Sequence, residues 1–304
     1  MSALDEVTAT IAGVAEAVGG SVVGVNRHGT GIVIRDGVVA TNAHNLRGEE
    51  AYVTFADGRT TTGSAAGVDI DGDLAVITVD TGTAAAVEWT TSAVTVGQVV
   101  VALSNPRGRG LRATIGTISS TGRGFRGPRG RRIPGSLEHT APLARGSSGG
   151  PVLDRDGRLV GLNTNRLQEG FYQALTANDE LRQRIESLAN GKVPSRRRLG
   201  AAIAPAHVAR RLRSAAGLPE VDGLLVRDVE EGGPADRAGL KRGDVLVATG
   251  GRELRSLDDL YEVLDGDGPE LEFRVARAAD EIVVTVSFAA ADSAGSPGAE
   301  RSAG

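Results

Sequence analysis

The chain has 304 residues, 40% hydrophobic and 24% charged, with 34 Lys and Arg against 38 Asp and Glu for a net charge of -4. That composition excludes wholesale disorder, leaves room for two domains of roughly 150 residues each, and provides no global pull toward nucleic acid or an anionic membrane. The absence of Cys removes disulfide frameworks, thiolate zinc sites and cysteine nucleophiles. His28, His44, His139 and His207 are too scattered for a metal-binding motif, so no metal and no cofactor is expected.

The N-terminus, Met1-Ser2-Ala3-Leu4-Asp5-Glu6, has neither the basic nor the apolar region of a secretory signal, and no stretch approaches 18 uninterrupted apolar residues. As written the chain is expected in the cytoplasm, or outside it if a leader has been removed. Residues 3–18 predict an amphipathic helix stopped by Gly19-Gly20. From Ser21 to about Leu175, short Val/Ile/Thr-rich runs recur: Val22–Asn26, Gly31–Arg35, Val38–Asn42, Ala51–Phe55, Leu74–Val79, Gln98–Leu103, Ala113–Ser119, Val152–Leu153 and Arg158–Asn163. Asp36-Gly37, Asp57-Gly58 and Asp156-Gly157 are tight-turn pairs, and strands spaced this way without helices favour a barrel or sandwich. Asn178–Ala189 predicts a helix capped by Asn178, with Leu181, Ile185 and Leu188 on one face.

Residues 1–190 thus form one domain, 191–198 a basic linker, 199–290 a second domain and 291–304 a disordered tail rich in Ser, Gly and Ala. In the second domain the pattern changes to strand (Leu199–Ile203), helix from Pro205, strands at Leu224–Val229 and Asp244–Thr249, a helix from Ser256, and strands at Leu271–Ala276 and Ile282–Phe288. Ser256-x-x-Asp259 is a weak capping box, and Leu257, Leu260, Tyr261 and Leu264 form its apolar stripe.

Gly146-Ser147-Ser148-Gly149-Gly150-Pro151 is the segment richest in chemistry. A nucleophilic Ser needs a sharp turn that lifts its hydroxyl and backbone N–H groups aimed at the developing oxyanion. Gly146 and Ser148 would supply those groups; a plain turn between strands is the alternative. The segment also fits the Gly-x-Ser-x-Gly elbow of α/β-hydrolases, but that elbow runs into a helix and its His follows the Ser, whereas here Pro151 follows at once. A base must then lie upstream. His44 ends a β-type run, and Asp73 opens the buried-looking Asp73-Leu74-Ala75-Val76-Ile77, with Asp69 and Asp71 as rivals. His44, Asp73 and Ser148 follow the His, Asp, Ser order of a trypsin-like triad.

Thr41-Asn42-Ala43-His44, Gly72-Asp73-Leu74-Ala75-Val76, and Gly146–Pro151 with Val160-Gly161-Leu162-Asn163-Thr164 resemble the catalytic blocks of HtrA/Deg-type serine proteases. Leu199-Gly200-Ala201, Gly233-Pro234-Ala235 and Arg242-Gly243-Asp244-Val245-Leu246 resemble the PDZ domain that follows them in that family. The resemblance implies a mainly β chain: a trypsin-like double β-barrel followed by a small α+β PDZ domain. It implies Ser148 as nucleophile, His44 as general acid/base, Asp73 as its orienting partner, and Gly146 and Ser148 as the oxyanion hole. Ser147 stands where the family has Asn or Asp, Thr140 where an acid is common, and the N-terminal stretch lacks the aromatics that knit family trimers, so self-association stays open.

Pro142, Leu143 and Ala144 are expected to wall a primary pocket without an acid, favouring a small or medium apolar side chain over Lys or Arg. No acid lies between Glu88 and Glu138, and Gly122–Arg132 reads as a mobile Arg-Gly loop: solvated, regulatory by the resemblance, or binding an acidic or RNA-like partner. Leu199, Gly200 and Ala201, with Leu257, Leu260, Tyr261 and Leu264, would hold an extended peptide C-terminus. The function implied is an ATP-independent serine endopeptidase acting on unfolded or exposed protein segments, with no membrane and no nucleic acid as partners. The alternative is a catalytically silent, chaperone-like peptide-binding scaffold. A base role for His44 predicts activity lost at acid pH.

Overall fold

A computed structural model describes residues 2–127, 130–167, 170–194, 196–266 and 268–288, so the expected tail at 291–304 lies outside the described residues. The chain divides into two compact units, Met1–Pro194 and Ser195–Gly304. Among the described residues no helix is long and apolar enough to cross a membrane.

The first unit opens with α1 (Ala3–Val18), whose Ser2 and Asp5 form a reciprocal capping box and whose Val14 and Val18 are buried. Six antiparallel strands follow: β1 (Val22–Val25), β2 (Gly29–Arg35), β3 (Val38–Thr41), β4 (Glu50–Thr54), β5 (Thr60–Asp69) and β6 (Leu74–Thr78). They close into a barrel in the order β1-β2-β3-β6-β5-β4. A second barrel is built from β7 (Val99–Ser104), β8 (Arg112–Arg126), β9 (Arg132–His139), β10 (Pro151–Leu153), β11 (Leu159–Arg166) and β12 (Tyr172–Thr176), ordered β10-β11-β12-β9-β8-β7.

Side-chain alternation explains why several strands read as unbroken apolar runs. Val23, Val25, Val33, Val39, Val53 and Ile77 fill the first barrel, and Val100, Ile118, Leu137, Val152 and Val160 fill the second. The opposite faces, with Ile32, Leu74, Val76, Leu103, Leu153 and Leu162, pack into one shared cluster. Both faces of β1, β3 and β10, and of most of β2, β6 and β11, are therefore dry, and a one-residue slip would carry each barrel-filling set to the wrong face. Helix α2 (Asp179–Ala189), with Asn178 accepting from the Leu181 N–H, adds Leu181, Ile185 and Leu188 to that cluster.

The expected Arg-Gly loop is largely a hairpin. Gly122–Arg126 continues β8 and Arg132 begins β9, because a closed barrel supplies backbone partners that an Arg-rich sequence does not advertise. Residues 128–129 lie outside the described residues.

The second unit comprises β13 (Ala201–Ala204), α3 (Ala206–Ala215), β14 (Leu224–Val229), α4 (Pro234–Arg237), β15 (Val245–Thr249), β16 (Arg252–Glu253), α5 (Leu257–Leu264), β17 (Glu270–Arg277) and β18 (Asp280–Ser287). The sheet order is β13-β14-β15-β17-β18, with β16 on β15. Phe273, Val275, Leu224 and Val226 form the core with Leu260 and Leu264 of α5. Asp244, buried, accepts from Arg277 at 2.8 and 2.7 Å, and this carboxylate raises the Arg277 pKa.

Candidate active site

His44 is delivered by the end of β3. The strand is buried throughout, and the chain then makes the short turn Ala43–Asn45 that lifts the imidazole, 39% exposed, into a cleft. Asp73 closes the turn between β5 and β6 in the left-handed region at φ 48°, a conformation Asp tolerates better than most residues. Its carboxylate is almost fully buried. His44 Nδ1 lies 2.8 Å from Asp73 Oδ1 and 3.0 Å from Oδ2, and the His44 backbone N–H donates to Oδ1 at 3.3 Å. The Thr164 hydroxyl donates to Oδ2 at 2.5 Å, and Asn42 Nδ2 donates to the Asp73 carbonyl at 2.9 Å. Held by these donors, the carboxylate orients the imidazole through Nδ1 and leaves Nε2 facing the cleft.

The rivals have other work. Asp69 accepts from the Gly72 N–H at 2.9 Å and pairs with Arg184 of α2 at 3.3 Å; Arg184 also donates to the Gly72 carbonyl at 3.0 Å. Asp71 lies 3.7 Å from Arg131. Both therefore hold the loop that carries Asp73.

Ser148 sits in a loop folded by its own bonds: Ser147 N–H to Ala144 O, Gly150 N–H to Ser147 O, and Gly149 N–H to Asn163 O. Gly146 is left-handed at φ 88°, and a Cβ on Gly149 would lie 2.0 Å from the Thr30 carbonyl oxygen, so only glycine fits there. The Ser147 hydroxyl donates to Ser104 Oγ at 3.0 Å, and Thr140 Oγ1 accepts from the Thr117 N–H at 3.0 Å; these contacts occupy the two positions where an acid or amide was expected. The backbone N–H groups of Gly146 and Ser148 have no acceptor among the described residues and remain free for an oxyanion.

The Ser148 hydroxyl donates to the Thr164 carbonyl at 3.1 Å. Among the described residues it makes no hydrogen bond with His44. The His–Asp half of the constellation is thus closed, and the Ser half is turned toward Thr164.

Beside Ser148 lies a pocket of about 240 Å³ whose walls include Leu143, Ala144, Asn163 and Arg166. Pro142 is exposed and is not one of its lining residues: of the expected wall only Leu143 and Ala144, nearer the Ser148 loop, reach the pocket. Sequence reading gave no role to Thr164, Asn42, Arg184 or Arg166. The block containing Thr164 was visible, but not the fact that its hydroxyl reaches across to Asp73.

In the second unit, Leu199, Leu260 and Leu264 are core residues, while Gly200, Ala201, Leu257 and Tyr261 are partly exposed. Gly200 is left-handed at φ 71°, and β13 pairs on one side only, with β14, leaving its other edge open among the described residues. Among the described residues no cluster of three or more His, Asp or Glu could hold a metal ion.

Two antiparallel barrels with a His–Asp pair facing a glycine-bounded Ser define a trypsin-like peptidase unit, here followed by a second, smaller unit. Residues 29–162 match the trypsin-like peptidase domain family and residues 225–277 the PDZ domain family. A probable periplasmic serine endoprotease DegP-like of Halomonas elongata is 32% identical over 268 residues, covering 85% of this chain and 56% of that protein. A putative serine protease HhoA of Synechocystis is 33% identical over 255 residues, covering 79% and 64%. The chain spans between about half and two thirds of the length of these curated relatives. The solved HtrA-type protease AlgW with decapeptide superposes with a TM-score of 0.63 at 27% identity, covering 85% of this chain and 81% of that one. The chain thus carries a trypsin-like peptidase domain followed by a PDZ domain, and in that order of domains it is similar to HtrA-type serine proteases.

Proposed function

We propose that the protein is an ATP-independent serine endopeptidase that cleaves unfolded or exposed polypeptide segments, with peptide binding by its PDZ unit. The observation that carries this is the buried Asp73 carboxylate holding His44 Nδ1 at 2.8 Å opposite a loop whose Gly146 and Ser148 N–H groups are unengaged. For attack, the Ser148 hydroxyl leaves the Thr164 carbonyl and turns to His44 Nε2, a side-chain rotation that costs little. His44 takes the proton as Ser148 Oγ bonds to the substrate carbonyl carbon, and the Gly146 and Ser148 N–H groups hold the resulting oxyanion. His44 then protonates the leaving amine, and water, deprotonated by His44, hydrolyses the acyl-enzyme.

The edge of β13 beside Gly200 accommodates an added strand, so the PDZ unit would take a peptide C-terminus there, with Leu257 and Tyr261 at the groove and Leu260 and Leu264 supporting it. Self-association is part of the same proposal only as an open oligomeric state to be measured.

One observation favours a second reading, the silent scaffold: the Ser148 hydroxyl is engaged by Thr164. The test is casein digestion and fluorophosphonate labelling of the wild type beside Ser148→Ala. Labelling and digestion that disappear in the variant support the protease. No labelling, with peptide binding retained, supports the scaffold.

A further inference from the structure

His44, Asp73 and Ser148 are linked pairwise, but not by the same means. His44 and Asp73 touch directly, and Asp73 and Ser148 are joined through Thr164. His44 and Ser148 share no hydrogen bond among the described residues. The third link is made instead by the residue that follows His44 in the chain.

Asn45 ends the short turn that carries His44 and is buried. Its Nδ2 donates to the Ser148 carbonyl at 3.0 Å and to Thr41 Oγ1 at 2.9 Å. The surroundings fix which way the amide faces. The Ser148 carbonyl can only accept, and the Thr41 hydroxyl already donates its proton to the Thr30 carbonyl at 2.7 Å, so both neighbours require a donor. The Thr30 N–H donates to the same Ser148 carbonyl at 2.9 Å. Both lone pairs of that oxygen and both amide protons of Asn45 are then committed, which holds the peptide plane after Ser148 from two sides.

The backbone of Asn45 is braced as well. Its carbonyl accepts from Asn26 Nδ2 at 2.9 Å, and its N–H donates to the Asn42 carbonyl at 3.1 Å. Room for the amide is left by Gly29. A Cβ there would lie 2.5 Å from Asn45 Cγ and 2.8 Å from both Nδ2 and Oδ1, and these are the three atoms nearest to it. Gly29 is not left-handed, so it is the Asn45 amide, and not the backbone, that excludes a side chain at this position.

We infer that Asn45 is a positioning residue: it sets the Ser148 backbone relative to His44, so that rotation of the Ser148 side chain alone carries Oγ from the Thr164 carbonyl to the imidazole. This rests on the endopeptidase reading and adds a residue to its machinery. Asn45 acts through the Ser148 carbonyl and not on the reacting atoms. Without its amide the loop keeps the Thr30 bond but gains freedom to swing, and the hydroxyl must then find His44 by loop movement as well as by rotation. A misplacement of about 1 Å costs on the order of a hundredfold in rate, and with one of the two bonds retained a loss of about tenfold is expected.

The experiment compares the wild type with Asn45→Ala, Gly29→Ala and the double variant. Exhaustive fluorophosphonate labelling counts the competent sites, and a fluorogenic peptide gives kcat and KM per labelled site. Asn45→Ala should lower kcat per labelled site about tenfold and leave KM within about twofold of the wild type. Gly29→Ala keeps the amide but displaces it, and should show the same loss. Adding Gly29→Ala to Asn45→Ala should cost nothing more, because the atoms that the new methyl would meet are gone. If Asn45→Ala yields no folded protein, Asn45→Asp, which keeps the shape and removes both donors, takes its place with the same expected loss. A role confined to stability would instead lower the thermal midpoint and the number of labelled sites, with the rate per site unchanged. That result, or losses that add in the double variant, overturns the proposal and leaves the endopeptidase standing. A wild type that neither labels nor cleaves overturns the endopeptidase reading and this one with it.

Discussion

Thr164 touches both Asp73 and Ser148: its hydroxyl donates to Asp73 at 2.5 Å while its carbonyl accepts from Ser148 at 3.1 Å. The two contacts come from one residue of β11, so the carboxylate and the nucleophile share a single backbone anchor. Thr164→Val keeps the shape and the carbonyl but removes the hydroxyl. A hydrogen bond to a buried charge is worth roughly 1.5–3 kcal/mol, so kcat/KM should fall about ten- to a hundredfold, with Ser148 labelling slowed in proportion. Unchanged kinetics would show that the Asp73 carboxylate is positioned without Thr164.

Arg184 acts on the same carboxylate from a distance. It neutralises Asp69 and ties down the Gly72 carbonyl, one residue before Asp73. Arg184→Met should leave Asp69 buried without this cation and cost about 3 kcal/mol in denaturant unfolding. The double variant with Asp69→Asn should lose less than the sum of the two single changes, since each single variant strands the other partner.

Gly149→Ala tests the fit of the nucleophile loop. The added Cβ would meet the Thr30 carbonyl at 2.0 Å in a left-handed residue. A loss of roughly 3–5 kcal/mol and of fluorophosphonate labelling is expected, read from the thermal midpoint and the label together.

His139 gives a stability signal separate from His44. It is buried against Tyr172, and burial, which outweighs its bond to Asn163, pushes its pKa below the ordinary 6.5. Below about pH 6.5 the unfolded chain therefore binds a proton that the folded protein refuses. This contribution is complete above that pH and is lost as the pH falls toward the lowered folded value. Unfolding free energy measured between neutral and mildly acid pH should drop with a slope of up to about 1.4 kcal/mol per pH unit from this group, and His139→Gln should flatten it. An identical slope in the variant would assign the acid sensitivity elsewhere.

The sequence carries the triad's residue types and chain order openly, because each sits in a short local motif: a strand end before His44, a turn before Asp73, glycines around Ser148. It hides what positions them. Thr164 and Asp73 are 91 residues apart, and Arg184 and Asp69 are 115 apart. Strand β5, Thr60–Asp69, was missed because Thr, Gly, Ser and Ala carry little apolar alternation; barrel closure, not its own pattern, fixes its register. Strand β9 was obscured by Pro134 and Gly135 in an Arg-rich stretch. The second unit was easier to read: its α5 capping box forms both hydrogen bonds, although the division of its apolar stripe between core and groove needed three dimensions.

The nucleophile loop belongs to the second barrel by connectivity but is fastened by the first. The Thr30 N–H and Asn45 Nδ2 both donate to the Ser148 carbonyl, and the Thr30 hydroxyl donates to the Gly146 carbonyl. Neither barrel alone holds the Ser148 loop in place. A cut, a swap or a gentle unfolding that parts the two barrels would strip the Ser148 loop of all three bonds at the moment of separation.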